Sequence, residues 1–177
     1  MEEKNFLNEL MGEAVSFFRG DPRRIQHLMK VHAISRWIAE REGIDSRTQF
    51  VLEAAAIVHD VGIKPAEEKF GACSGRLQEQ EGPAVARALM ERLGAGQETV
   101  ERVCYLVGHH HTYAGIDGAD YQILVEADFL VNFYEDQLDT EVIRPAYERI
   151  FRTKAGKWLC REMFALDVQD GSDGIET

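Results

Sequence analysis

The feature that most constrains this chain is the run Val51-Leu-Glu-Ala-Ala-Ala-Ile-Val-His-Asp-Val-Gly-Ile-Lys64. It begins as a buried helix and ends by setting His59 and Asp60 side by side in apolar company. Asp60 stands at the wrong end to cap that helix, and the negative C-terminal end of the helix dipole repels a carboxylate. An ionised carboxylate buried without a partner is destabilising or takes up a proton, so such groups are usually paired or bound to a metal. No Arg or Lys stands within a helical turn upstream. A divalent cation shared with His59 is the simplest partner.

A core able to bury such a run needs a full-sized domain, and 177 residues with 45% hydrophobic and 29% charged side chains are enough for one. The net charge of −11 argues against a nucleic acid polymer or an anionic membrane as partner, since phosphate backbones call for clustered Lys and Arg. A small anionic substrate could still be held by a metal and a few local cations. Cys73, Cys104 and Cys160 are too scattered, and odd in number, for a disulfide framework or a paired-cysteine zinc site. The N-terminus reads as an acidic amphipathic helix rather than a signal peptide, and no apolar run approaches the ~18 residues of a spanning helix. A reducing cytoplasm is the expected location.

The remaining chain reads as helices. Phe6, Leu7, Leu10, Met11, Val15 and Phe18 recur at helical spacing, and Gly20 ends that first helix. Asp21-Pro22 reads as an N-cap followed by proline at the first helical position, opening a helix that Gly43 stops. Asp45 caps the next, which runs to His59. The segment from Pro65 to about Gln80 carries Gly71, Gly75 and little periodicity, so a loop is expected there, long enough to act as a lid. Helices are then expected over about Pro83–Leu93 and Glu98–His109, with a loop from Tyr113 to Ala119. Tyr121–Tyr134 is strongly apolar, and Asp139 is placed to cap a helix through Ile143 and Ile150. The last amphipathic piece holds Trp158 and Phe164, a candidate surface for a homodimer, and the tail from Asp167 reads as disordered. The expectation is an all-α, compact helical bundle: an N-terminal helix over 1–21, one domain over 22–166 and a tail over 167–177.

The six histidines are His27, His32, His59 and the triplet His109–His111. His27 and His32 cannot share one ion from a straight helix, because five residues correspond to about 140° of rotation. His27 shares its face with Val31, Ile34 and Ile38, the side that should meet the core, and is the ligand candidate. His32 lies on a more mixed face and is read as substrate-side. Asp128, on a helical face with Leu124, Val125 and Val131, repeats the desolvation problem of Asp60, whereas Glu126 points elsewhere and is expected to be exposed. His27, His59, Asp60 and Asp128 form a mixed N/O set that suits Mn, Fe, Zn, Ni, Co or Mg with open water positions, and suits a closed structural zinc site poorly.

The ordered pattern of His27, Ala-Ile-Val-His59-Asp60-Val-Gly62 and Val-Glu-Ala-Asp128 resembles the HD-domain superfamily of metal-dependent phosphohydrolases over residues 22–135. The resemblance implies an α-helical bundle in which His27, His59, Asp60 and Asp128 hold one divalent metal. Two-metal members of the family carry further histidines. His109 and His110 match the later positions, but the earlier one would fall near Gln78, where this chain has no histidine, so one metal is expected. The family's frequent lysine directly after the motif glycine is Ile63 here, with Lys64 displaced by one, and the Gly-Tyr-Pro signature of the cyclic dinucleotide branch does not follow the triplet.

The function this implies is hydrolysis of a small, nucleotide-like phosphate ester by a metal-activated water. Asp60 or Asp128 would orient that water or take its proton, His109 or His110 would stabilise developing charge or protonate the leaving oxygen, and Lys64 and Arg24 are the nearest phosphate clamps. Two rival readings are a metal-bearing regulatory module with little turnover and a di-iron oxygenase, which would need the ligand missing near Gln78.

Overall fold

Asp21 and Asp45 behave as their sequence positions require. In the computed structural model, which describes residues 3–167, the Asp21 carboxylate accepts from the Arg24 N–H at 3.1 Å and Asp45 accepts from the Thr48 N–H at 3.0 Å. These caps open α2 (Pro22–Glu42) and α3 (Ser46–Val58), and Gly43 closes α2 in the left-handed conformation that glycine adopts without a steric penalty. Before them lies α1 (Glu3–Phe17), packed on α3 through Phe6, Leu10 and Ala14.

Every residue of α3 from Val51 to Val58 is buried, with α1, α2, α6 (Gln97–Val107) and α7 (Ala119–Glu135) around it. Removing Leu52, Ile57 or Val58 from water contributes roughly 1.5–3 kcal/mol each, so α3 is the fixed axis on which the His59-Asp60 turn is mounted. The chain is completed by α4 (Ile63–Phe70), α5 (Gly75–Arg92), α8 (Thr140–Ile150) and α9 (Lys154–Phe164), and no strand occurs among the described residues. No helix there is long and apolar enough to cross a membrane. The rest of the acidic tail, expected to be disordered, lies outside the described residues.

The structure corrects the expected loop over 65–80. Residues 63–70 form α4, and α5 begins at Gly75 and runs through Pro83 instead of starting there. The reason is tertiary. A Cβ on Gly62 would lie 2.3 Å from the Gln78 carbonyl oxygen, and one on Gly82 would lie 2.6 Å from the Val107 side chain. The two glycines let the turn after α3 press onto α5, and that contact carries the helix past a residue that lacks an N–H.

Two side chains differ from their sequence readings. Asp139 sits at the N-cap position of α8 but makes no capping bond. Glu126 is fully buried, not exposed. Its carboxylate accepts from the backbone N–H groups of Arg152 and Thr153, the Thr153 hydroxyl and the Gln122 amide, joining α7 to the start of α9. Trp158 stacks on Trp37 of α2 with ring centroids 5.7 Å apart, and Phe164 packs edge-on against Phe133, so both aromatic residues of α9 have partners within the chain.

Candidate metal centre

Three histidines turn the same nitrogen inward because the other is already committed. His27, on the inward face of α2, has its Nδ1 3.1 Å from Glu135 Oε2. His59 and His110, each just past a helix end, direct Nδ1 at the carbonyls of Ala56 (2.9 Å) and Val107 (2.8 Å). A carbonyl only accepts, so His59 and His110 donate from Nδ1 and turn Nε2 inward, where it offers a lone pair whenever the ring is neutral. The His27 and His59 Nε2 atoms lie 3.2 Å apart. Asp128 Oδ1, from α7, is 3.1 Å from the first and 3.6 Å from the second; Asp60 Oδ2 is 3.4 Å and 3.6 Å from them. The structure therefore brings His27, His59, Asp60 and Asp128 together.

The electrostatics follow from this crowding. Burial opposes charge on His27, but Asp128, Asp60 and Glu135 outweigh it and raise its pKa to about 9. Burial likewise opposes charge on His59, yet Asp60 and Asp128 raise it. Burial would raise both aspartates, but the histidines around them hold Asp60 and Asp128 below the usual carboxylate range. Protons on the imidazoles thus do here what a cation would do better. The set offers two nitrogens and two oxygens, and such borderline donors fit the divalent ions expected from the sequence. His110 adds a further sign of fit. Its Nε2 is fully buried, has no hydrogen-bond partner and lies 3.5 Å from Asp60 Oδ1.

Asp60, His110 and His111 form a second group of potential ligands. Gln78 bears on it directly. Its amide nitrogen donates to the Cys73 carbonyl at 2.9 Å, which turns its Oε1 toward His111 Nε2 at 3.0 Å. That Nε2 must then carry the proton and has no lone pair to offer. Glu79 accepts from the His111 N–H and the Thr112 hydroxyl, fixing the turn that carries the triplet. Burial, helped by His110, lowers the pKa of His111 to about 4.

The centre opens into a cavity of about 310 Å³ lined by Asp21, Arg23, Arg24, His27, Asp60, Ile63, Cys73, Gln78, His111, Asp128, Asn132 and Glu135. A larger groove of about 750 Å³ beside the starts of α3, α6 and α7 holds no histidine, and its Arg102 is tied to Asp117 and Asp120.

Three expected site residues lie elsewhere. His32 is paired with Glu53 at 2.9 Å and lines a separate cavity of about 330 Å³, as its rotation from His27 dictates. His109 turns its Nδ1 to the Tyr105 carbonyl at 2.7 Å and stacks on the Tyr105 ring, on the side of the larger groove. Lys64 donates to the Phe17 carbonyl at 3.2 Å and lies over the Phe17 ring, because α4 carries it toward α1. Arg24 does line the cavity, held by Asp21 at 3.1 Å and Glu67 at 2.6 Å. The sequence reading missed Glu135 and Asn132, although their steps of seven and four residues from Asp128 place them on its helical face. It also missed His111, and no spacing rule distinguishes one member of a histidine triplet from its neighbours.

The HD domain family model matches residues 24–145. The fold is similar to the crystal structure of a predicted HD superfamily hydrolase from an uncultured Thermotogales bacterium, with a TM-score of 0.62 at 23% identity over 92% of this chain and 84% of that one. No curated protein matches the sequence.

Proposed function

The chain belongs to the HD domain family, and from that premise we propose that it is a phosphohydrolase dependent on one divalent metal, acting on a small, nucleotide-like phosphate ester. The observation that carries this reading is the convergence of His27, His59, Asp60 and Asp128, with two imidazole nitrogens 3.2 Å apart and carboxylate oxygens against both. These four residues would hold the ion. When bound, it supplies Lewis acidity, lowering the pKa of a coordinated water and drawing phosphoryl oxygens into line.

The chain's own groups divide the remaining work. Asp60 faces the histidine pair with Oδ2 and His110 Nε2 with Oδ1, so it can orient a water while His110 takes or returns a proton beside it. Glu135 fixes the ring of His27, and Asn132 donates to Asp128 Oδ1 at 2.9 Å. Arg24, at the cavity wall, is the guanidinium available to phosphoryl oxygens once it loosens from Glu67. The pairing of His111 with Gln78 favours a single metal.

The test is to strip the protein, reload it with Mn, Fe, Zn, Ni, Co or Mg, and screen phosphomonoesters, phosphodiesters and nucleotides. His59→Ala and Asp60→Ala should lose both bound metal and hydrolysis. Hydrolysis that persists in a metal-free variant would overturn the mechanism, and binding without product under every metal would favour a regulatory module.

A further inference from the structure

The cavity beside the candidate centre has an unusual charge balance. Arg23 and Arg24 line it together with four carboxylates, those of Asp21, Asp60, Asp128 and Glu135. The nearby cations are already engaged. Arg24 lies between Asp21 and Glu67, Arg23 reaches Asp136 at 3.2 Å, and Lys30 meets Glu135 at 2.6 Å. Lys64, the clamp expected from the sequence, is on Phe17. Histidines acting as ligands must be neutral. The lining side chains therefore carry two more negative charges than positive ones, and their partners Glu67, Asp136 and Lys30 add one more, so one divalent ion leaves the loaded cavity with no positive charge to spare.

A phosphate dianion entering that cavity would add two uncompensated charges in a partly desolvated space; a singly charged phosphate would add one. Excess charge is penalised steeply where water is scarce. Resting on the metal-dependent phosphohydrolase reading, we infer that the substrate is a singly charged phosphodiester rather than a dianionic phosphomonoester. Water forms the new P–O bond, one P–O ester bond breaks, and the departing oxygen leaves as an alcohol after taking a proton. The product monoester releases the second water proton and becomes a dianion. That product is the species the cavity tolerates least, so the same charge balance that selects the substrate helps expel the product.

Two carboxylates can be neutralised without touching the candidate ligands. Asp21→Asn removes one of the four lining carboxylates while keeping an N-cap, since asparagine caps as well as aspartate, and Glu67→Gln removes the other carboxylate that holds Arg24 at the cavity wall. The experiment uses the full chain loaded with Mn, its metal content measured. It compares bis(p-nitrophenyl) phosphate with p-nitrophenyl phosphate for hydrolysis, and diphenyl phosphate with phenyl phosphate for binding by calorimetry. The diester should be preferred in both readouts, and each variant should move the ratio toward the monoester by about tenfold, the effect of about 1.4 kcal/mol. A preference for the monoester, or ratios unmoved in both variants, would overturn the substrate class and leave the hydrolase reading intact. Two metals per chain would overturn the charge count. Binding of phenyl phosphate as tight as that of diphenyl phosphate, with neither ester hydrolysed, would overturn the substrate class, while the wider screen of metals and esters decides the hydrolase reading.

Discussion

The Nε2 atoms of His27 and His59 stand 3.2 Å apart, and the Nδ1 of each ring is engaged elsewhere, by Glu135 and by the Ala56 carbonyl. Two imidazole lone pairs do not approach so closely unless a proton or a cation lies between them. This pair, with Asp60 and Asp128 against it, makes proton and metal competitors for one position.

The competition has a signature in stability. His27 has its pKa raised from 6.5 to about 9. A group raised on folding contributes stability that is complete below its unfolded pKa and is lost as pH rises through the folded one. The metal-free protein should therefore lose up to about 3 kcal/mol between pH 6.5 and 9. Denaturant titrations at several pH values measure this, and His27→Gln should flatten the profile. The metal-loaded protein should not show the fall.

Glu135 should matter to the metal although it does not face it. Loss of a carboxylate that holds a ligand histidine typically weakens metal binding about 10–100-fold. Glu135→Gln should do so in a chelator competition, with helical content unchanged. An unaltered affinity would contradict the role of Glu135 in fixing the His27 ring.

The fold was legible wherever its signals were local. Asp21-Pro22, Gly43 and Asp45 marked helix ends because caps act through the nearest N–H groups. Residues 65–80 were misread because their glycines and Pro83 look like breakers, while the contact that overrides them joins Gly62 to α5, which no local rule detects. The site divided in the same way. His27, His59, Asp60 and Asp128 stood out as polar groups on apolar faces. Lys64 and His109 did not reach the cavity because a turn's direction, not its composition, decides where its side chains go. Glu126 was placed outside for a related reason, since the N–H groups it satisfies begin a helix far along the chain.

The Gly62–α5 contact predicts a cost for the smallest side chain. Gly62→Ala would set a Cβ 2.3 Å from the Gln78 carbonyl oxygen, backbone that cannot easily yield. Overpacking of this kind costs about 1–3 kcal/mol. Thermal unfolding should show a lower midpoint, and weaker metal binding should accompany it because Asp60 lies in the same turn.

Gln78 is predicted to limit the number of metals. Its Oε1 accepts from His111 Nε2 and so removes a lone pair from the group formed by Asp60, His110 and His111. Gln78→His should release His111, add a nitrogen donor, and raise the metal content above one per chain in elemental analysis.

The central claim is that His27, His59, Asp60 and Asp128 hold one divalent ion, and equilibrium dialysis with elemental analysis tests it most directly. The wild-type chain should bind one ion, His59→Ala and Asp128→Asn should bind almost none under the same conditions, and His32→Ala should bind as wild type. Full metal content in His59→Ala, or its loss in His32→Ala, would contradict the account.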